Sequence, residues 1–300
     1  MSHKPLALTP ALRLVDNAPL LLTLLLLLDS LHFIFGRLLL PYLPPAASSF
    51  YMFGVATVEL VVFMATWDQI RLDLLRHHFW FFLGIGLLVG GSTFLTFLSV
   101  AYIDPGTASL LGKSAIVFGI GLGLLWLRER LTRFEVAGAV VAIGGMVIIT
   151  FQPGDYLRLG SVIVLLSALL YAFHAALVKR YEAAMSVADF FLYRVAFTTG
   201  FLFLLTLSRG ELIWPGGEAW LILLLAGTVN IVLSRGLYYV ALRRLNLSFH
   251  SIILTLSPVA AVMWTLLLFG VVPTGQQLLG GAAVIGGVFT VSLGRARGRG

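Results

Sequence analysis

Asp29, His32 and Gly36 recur at i, i+3 and i+7 in the stretch LLLLLDSLHFIFGRLLLPYL (24–43), a spacing that puts all three on one face of a helix. A carboxylate and an imidazole one turn apart can share a proton, because a free imidazole titrates near pH ~6.5. A polar packing contact with a neighbouring helix would use the same pair. Glu59, the single acid in VATVELVVF (55–63), is a third proton-coupling candidate, with a structural ion pair as the alternative. Lys113, in GTASLLGKSAIVFG (106–119), offers an ammonium that can receive a substrate carboxylate or pair with Asp29 or Glu59. Arg235 precedes Tyr238 and Tyr239 by three and four residues, and a guanidinium beside phenolic hydroxyls suits a planar anion. His174 follows Tyr171 by one turn, and Trp264 and Trp126 can form a cavity wall or pack against other helices. No metal is expected, because His32 and His174 bring no third nitrogen or sulfur ligand with them and His250 falls at another helix end. No cofactor is implied.

These groups sit in an unusually apolar chain. Of 300 residues, 59% are hydrophobic and 11% charged, with a mean hydropathy of +1.00. Ordinary soluble domains carry about 25% charged residues, so this surface could not stay wet, and an integral membrane protein follows. The net charge of +7 is spread in short clusters between apolar runs and builds no solvated basic face, so nucleic acid is not an expected partner. A charge in mid-bilayer costs roughly 2.5–3.5 kcal/mol even on the lenient insertion scale. Asp29, Glu59, Lys113 and Arg235 must therefore face protein or a wet cavity.

Apolar runs of about 20 residues can cross the hydrocarbon core as helices. Ten are readable, at 18–38, 46–66, 79–101, 105–126, 134–151, 159–180, 187–207, 219–242, 247–271 and 275–293, joined by turns such as Asp104-Pro105-Gly106. The first run is too long for a signal h-region and is read as a retained helix. With the N-terminus inside, Lys and Arg divide fourteen to two, only Arg158 and Arg209 lying outside. That bias predicts both termini cytoplasmic. Arg37, near an outer helix end, is expected to reach the interface.

A shift of 142 positions brings the halves into partial register. His32 falls on His174, Arg37 on Lys179, Thr132 on Thr274, and Gly144-Gly145 on Gly286-Gly287. The third and fourth spans need a slip of about two residues. Five spans per half is an odd number, so the second half enters from the opposite side. The expectation is an all-α membrane protein of ten helices in two inverted five-helix repeats. Residues 1–17 form a tail, 18–151 and 152–293 the repeats, and 294–300 a basic tail. Such repeats bind substrates near the midplane where the halves meet.

Three segments carry a family resemblance. LWLRERLTRFEVAGAVVAIGGMVII (125–149) joins an apolar helix end, a Glu-Arg-Leu turn and a Gly-rich helix. LTLSPVAAVMWTLLLFGVVPTGQQLLGGAAVIGG (254–287) repeats that plan with Pro258, and FFLYRVAF (190–197) carries Arg194. Together they resemble the EamA-type drug/metabolite transporter superfamily over nearly the whole chain outside its tails. The chain departs from the pattern at Met52, where the second half has Arg194, at Ala115 and Ile116, where it has Pro258, and at FGVV (269–272), which lacks the Glu-Arg-Leu turn. The resemblance implies a secondary transporter of the bacterial inner membrane, not an enzyme, acting by alternating access on a small molecule. An exported amino acid or related metabolite is the first expectation, with efflux of cationic or aromatic drugs and a lipid scramblase or membrane enzyme as rivals. The expected substrate residues are Asp29, His32, Lys113, His174, Arg235, Tyr239 and Trp264, and the expected proton-coupling residues are Asp29, His32 and Glu59.

Overall fold

The structure, a computed structural model, describes residues 18–66, 72–126, 132–152, 156–157, 159–181, 185–238 and 256–297. The first half holds α1 (Ala18–Ser30), α2 (His32–Leu39), α3 (Pro45–Thr66), α4 (Leu72–Ser99), α5 (Pro105–Gly112), α6 (Ser114–Leu125) and α7 (Arg133–Thr150). A two-residue antiparallel pair, β1 (Phe151–Gln152) with β2 (Tyr156–Leu157), links it to the second half. There follow α8 (Leu159–Tyr181), α9 (Val187–Ser208), α10 (Gly217–Leu225) continuing as a π-helix (Ala226–Leu233), α11 (Ser257–Phe269) and α12 (Gly275–Arg297). Among the described residues, seven segments are long and apolar enough to cross a membrane, counting α5 with α6 and α10 with its continuation to Tyr238 as one each. The expected first span is broken at Leu31, and the expected span 247–271 is described only from Leu256 onward. The architecture is helical and multi-spanning.

Four of the described helices start at a short polar device that satisfies orphan N–H groups. Asp104 accepts the Thr107 N–H at 2.8 Å, with Pro105 at the first turn. Ser186 accepts the Asp189 N–H at 3.2 Å and donates its hydroxyl to the Asp189 carboxylate at 2.6 Å. Before α7 the Thr132 N–H donates to Glu135 Oε2 at 2.8 Å, while the Glu135 N–H donates to Thr132 Oγ1 at 3.3 Å. Before α12 the same reciprocal box forms between Thr274 and Gln277, at 2.7 and 3.2 Å. The two boxes are repeat mates.

Repeat mates also meet in space. Thr57 and Thr199, 142 positions apart, share a hydrogen bond of 2.7 Å, joining α3 to α9. In the α7–α12 crossing, a Cβ on Gly145 would stand 2.6 Å from Gly280 O, and one on Gly138 would strike Gly287 O. Gly138 mates with Gly280 and Gly145 with Gly287, so the two contacts are images of each other under a two-fold rotation. The paired positions run in opposite senses along the two helices, which makes the mates antiparallel, as an inverted repeat demands. The close backbone approach depends on glycine.

The interior between these crossings is apolar. Ile85, Leu202, Leu223 and Met52 are fully buried in one cluster, while Leu111, Ile149, Val284 and Val288 are fully buried in a second. Phe82 of α4 packs against Phe190 and Tyr193 of α9 at centroid distances of 6.4 and 5.3 Å.

Candidate functional site

Three irregularities interrupt otherwise continuous helices, and each lies beside a polar group. Leu31 (φ −75°, ψ −9°) separates α1 from α2 between Asp29 and His32. Lys113 (φ −66°, ψ −12°) itself separates α5 from α6. The π-helix 226–233 carries Asn230 and leads into Arg235. A broken helix exposes carbonyls that a continuous one would consume. The Leu28 carbonyl accepts the Asn230 amide N–H at 3.1 Å, and the Leu27 carbonyl accepts the Ser30 hydroxyl at 2.7 Å. Since its nitrogen is committed to Leu28, Asn230 turns its Oδ1 to His32 Nδ1 at 2.9 Å. That contact assigns the proton to Nδ1 and leaves Nε2 as the basic nitrogen.

Between these breaks lies a cavity of 380 Å³, within the range of small-molecule sites. Four of the expected residues line it: Asp29, His32, Lys113 and Arg235. Arg194 and Tyr171, from α9 and α8, complete its charged and phenolic lining. Arg235 Nη1 stands 3.8 Å from Asp29 Oδ1, a loose ion pair. The field of Asp29 also reaches Lys113, whose ammonium forms no hydrogen bond or ion pair among the described residues. Arg194 interacts with Tyr171 and leaves its buried Nε without a partner. Hydroxyls cluster on another wall, where Ser167 bonds Ser92 Oγ at 3.0 Å and Thr96 Oγ1 at 2.8 Å. The cavity can therefore hold a polar anion through its cations and hydroxyls, with Phe33, Phe53 and Phe191 for an apolar part.

The remaining expected residues stand apart from this lining. His174 is buried next to Tyr171, at a ring distance of 5.2 Å, with both nitrogens unpartnered. Glu59 accepts the Thr228 hydroxyl at 2.5 Å, tying α3 to the π-helix. Trp264 donates its indole N–H to Ser30 Oγ at 3.1 Å, pinning α11 to the break in the first span. Trp126 is exposed at the end of α6, under the Arg180 guanidinium at 5.5 Å. Tyr239 and His250 lie outside the described residues. Arg37 is exposed and donates to Val100 O at 2.6 Å, just beyond the end of α4. Asp189 is engaged by Ser186. Asn230 and the Ser92–Thr96–Ser167 group escaped the sequence reading. Their signal was there, because Ser92 and Thr96 recur at i and i+4 inside an apolar run. No group of three or more metal-binding side chains forms among the described residues.

A helical, multi-spanning chain of two matched halves around a polar cavity defines a membrane transporter of inverted-repeat design. Residues 17–151 and 158–293 each match the EamA-like transporter family, and the chain belongs to that family. It is similar to a protein of Streptantibioticus cattleyicolor named a probable terminal-alkyne amino-acid exporter, at 32% identity over 209 residues, 65% of this chain and 68% of that one. It is also similar to the uncharacterized transporter YdfC of Bacillus subtilis, at 28% identity over 202 residues, 62% of each. One crystal structure covers 94% of this chain and 99% of its own at a TM-score of 0.65 and 17% identity, a likeness of fold alone. The family and these relatives make the chain a transporter of small molecules across a bilayer, not an enzyme.

Proposed function

We propose that the protein exports a small carboxylate-bearing metabolite, an amino acid foremost, across the bacterial inner membrane by alternating access. The carrying observation is the charge of the cavity: Lys113, Arg194 and Arg235 face it, and Asp29 is the one carboxylate among its described lining. On this reading the substrate carboxylate binds Lys113, which forms no hydrogen bond or ion pair among the described residues. The substrate ammonium then competes for Asp29 and frees Arg235, whose hold on Asp29 at 3.8 Å is loose. The repeats at 18–151 and 152–293 rock about the site, and both termini stay cytoplasmic. The relative named as an amino-acid exporter supports the substrate class. Asp29 and His32 serve proton coupling, with Nε2 of His32 as the proton acceptor.

Cationic drugs fit less well, because Asp29 already faces Arg235 and Glu59 is bonded to Thr228. Inside-out vesicles discriminate the two readings. Energised vesicles holding the protein should take up labelled amino acids above the level of protein-free vesicles and should leave a cationic dye behind. Dye uptake without amino-acid uptake would reverse the assignment.

A further inference from the structure

The cavity is over-supplied with positive charge, and the surplus is specific in number and place. Three cations line it against one carboxylate. Asp29 stands 3.8 Å from Arg235 and also attracts Lys113, so one carboxylate serves both and none is left for Arg194 among the described lining. Several other acids in described helices and caps are engaged elsewhere. Glu59 holds Thr228, Asp189 holds Ser186, Asp104 holds Thr107 and Gln277, and Glu135 holds Thr132. The sequence 239–255 contains no Asp or Glu, so the chain there supplies no counter-ion. Lys113 and Arg194 come from different halves, one at the break between α5 and α6 and the other on α9.

Arg194 is not built as a surface anchor. It is 9% exposed, and its Nε donates to nothing. Behind Tyr171, His174 is 6% exposed with neither ring nitrogen bonded. Buried polar atoms without partners are rare because each costs the desolvation of the group, and a ligand or water that answers them removes the penalty. Here two such side chains flank Tyr171. His32 shows what a satisfied counterpart looks like: its repeat mate position is His174, yet only His32 has an amide partner, Asn230.

We infer that the cavity holds a second anion subsite, formed by Arg194 with Tyr171, and that the preferred substrate is an acidic amino acid or similar dicarboxylate. This deepens the proposed function and rests on it. The first carboxylate meets Lys113, the ammonium meets Asp29, and the second carboxylate meets Arg194. Lys113, Arg194 and Arg235 against Asp29 leave a surplus of two positive charges, and an acidic amino acid, whose net charge is −1, halves that surplus where a neutral amino acid leaves it whole. A neutral amino acid would leave Arg194 buried and uncompensated. His174 packs its ring against Tyr171 at 5.2 Å.

The test uses the purified full chain in proteoliposomes and two pairs of probes, L-glutamate with L-glutamine and L-aspartate with L-asparagine. Each pair differs by one charge at nearly constant shape. The inference expects each acid to compete at least tenfold better than its amide, since a lost charge-assisted contact is worth about that factor or more. Arg194→Gln should collapse the acid-to-amide ratio toward one through lost acid affinity, and Arg194→Lys should restore part of it. Lys113→Met should weaken acid and amide alike. Amides that bind as well as acids to the wild type overturn this inference and leave amino-acid transport standing. A ratio that survives Arg194→Gln assigns the selectivity elsewhere and also overturns it. If none of the four compounds binds, the amino-acid reading itself fails, and the subsite falls with it. The wild-type ratio needs no variant to fold, so the inference is decided even if Arg194→Gln does not.

Discussion

A charged side chain in a bilayer must answer to protein, and the identity of its partner separates scaffold from site. Arg37 gives its guanidinium to Val100 O and Glu59 takes the Thr228 hydroxyl, so both read as ties between helices. Lys113, with no such partner among the described residues, is the residue a substrate can use. Lys113→Met should therefore weaken carboxylate binding about tenfold or more while the protein stays folded; competition binding together with size-exclusion chromatography measures both, and unchanged affinity in a folded variant would assign Lys113 to structure. His32 offers a second test. If Nε2 of His32 is the proton acceptor, transport should depend on pH, and His32→Ala should flatten that dependence. If His32 only holds Asn230, the variant will lose thermal stability and keep the wild-type pH profile. At this scale the sequence was informative about residue type and silent about partnership. Asp29, His32, Lys113 and Arg235 stood out because charges are rare in apolar runs, but nothing local tells that Trp264 bonds Ser30 while Arg194 lines the cavity.

Among the helices, polar caps and small residues decide where each begins and how closely two can cross. Thr132 with Glu135 and Thr274 with Gln277 were readable as matched starts, since the box is a local pattern. The glycine pairs were readable as well, though not which member of each pair makes the contact. A Cβ on Gly287 would meet Ala142 N at 2.5 Å, whereas one on Gly286 meets nothing within 4 Å. Gly287→Ala should lower the melting temperature by overpacking, a cost of about 1–3 kcal/mol. Gly286→Ala should be neutral or mildly stabilising, as alanine exceeds glycine in helix propensity by about 1 kcal/mol. Equal effects of the two substitutions would contradict the crossing described here. The breaks at Leu31 and Lys113 and the π-helix were invisible in the sequence. They are imposed by tertiary partners: Asn230 claims the Leu28 carbonyl, and no propensity at Leu31 or Val229 announces it.

For the whole molecule, duplication is the organising fact. It was legible as a shift of 142 and returns as the Thr57–Thr199 bond and the reciprocal glycine contacts. The membrane class was legible from composition, because so little charge cannot cover a wet surface. Substrate identity was not, since it depends on which buried charges are left unmatched after folding. Topology is testable at this scale. The fourteen-to-two division of Lys and Arg predicts both termini cytoplasmic, so a phosphatase fused after Arg299 should be inactive and a cytoplasmic fluorescent reporter bright; the reverse pattern would undo the inversion of the halves.

The central claim, that an amino acid moves through the cavity under the hold of Lys113, is tested most directly by counterflow. Proteoliposomes are loaded with unlabelled amino acid and diluted into a trace of the labelled compound. The account predicts transient accumulation of label above equilibrium in wild-type vesicles and a strong reduction with Lys113→Met incorporated to the same level. Equal accumulation by the variant, or accumulation of a cationic dye where no amino acid accumulates, would contradict it.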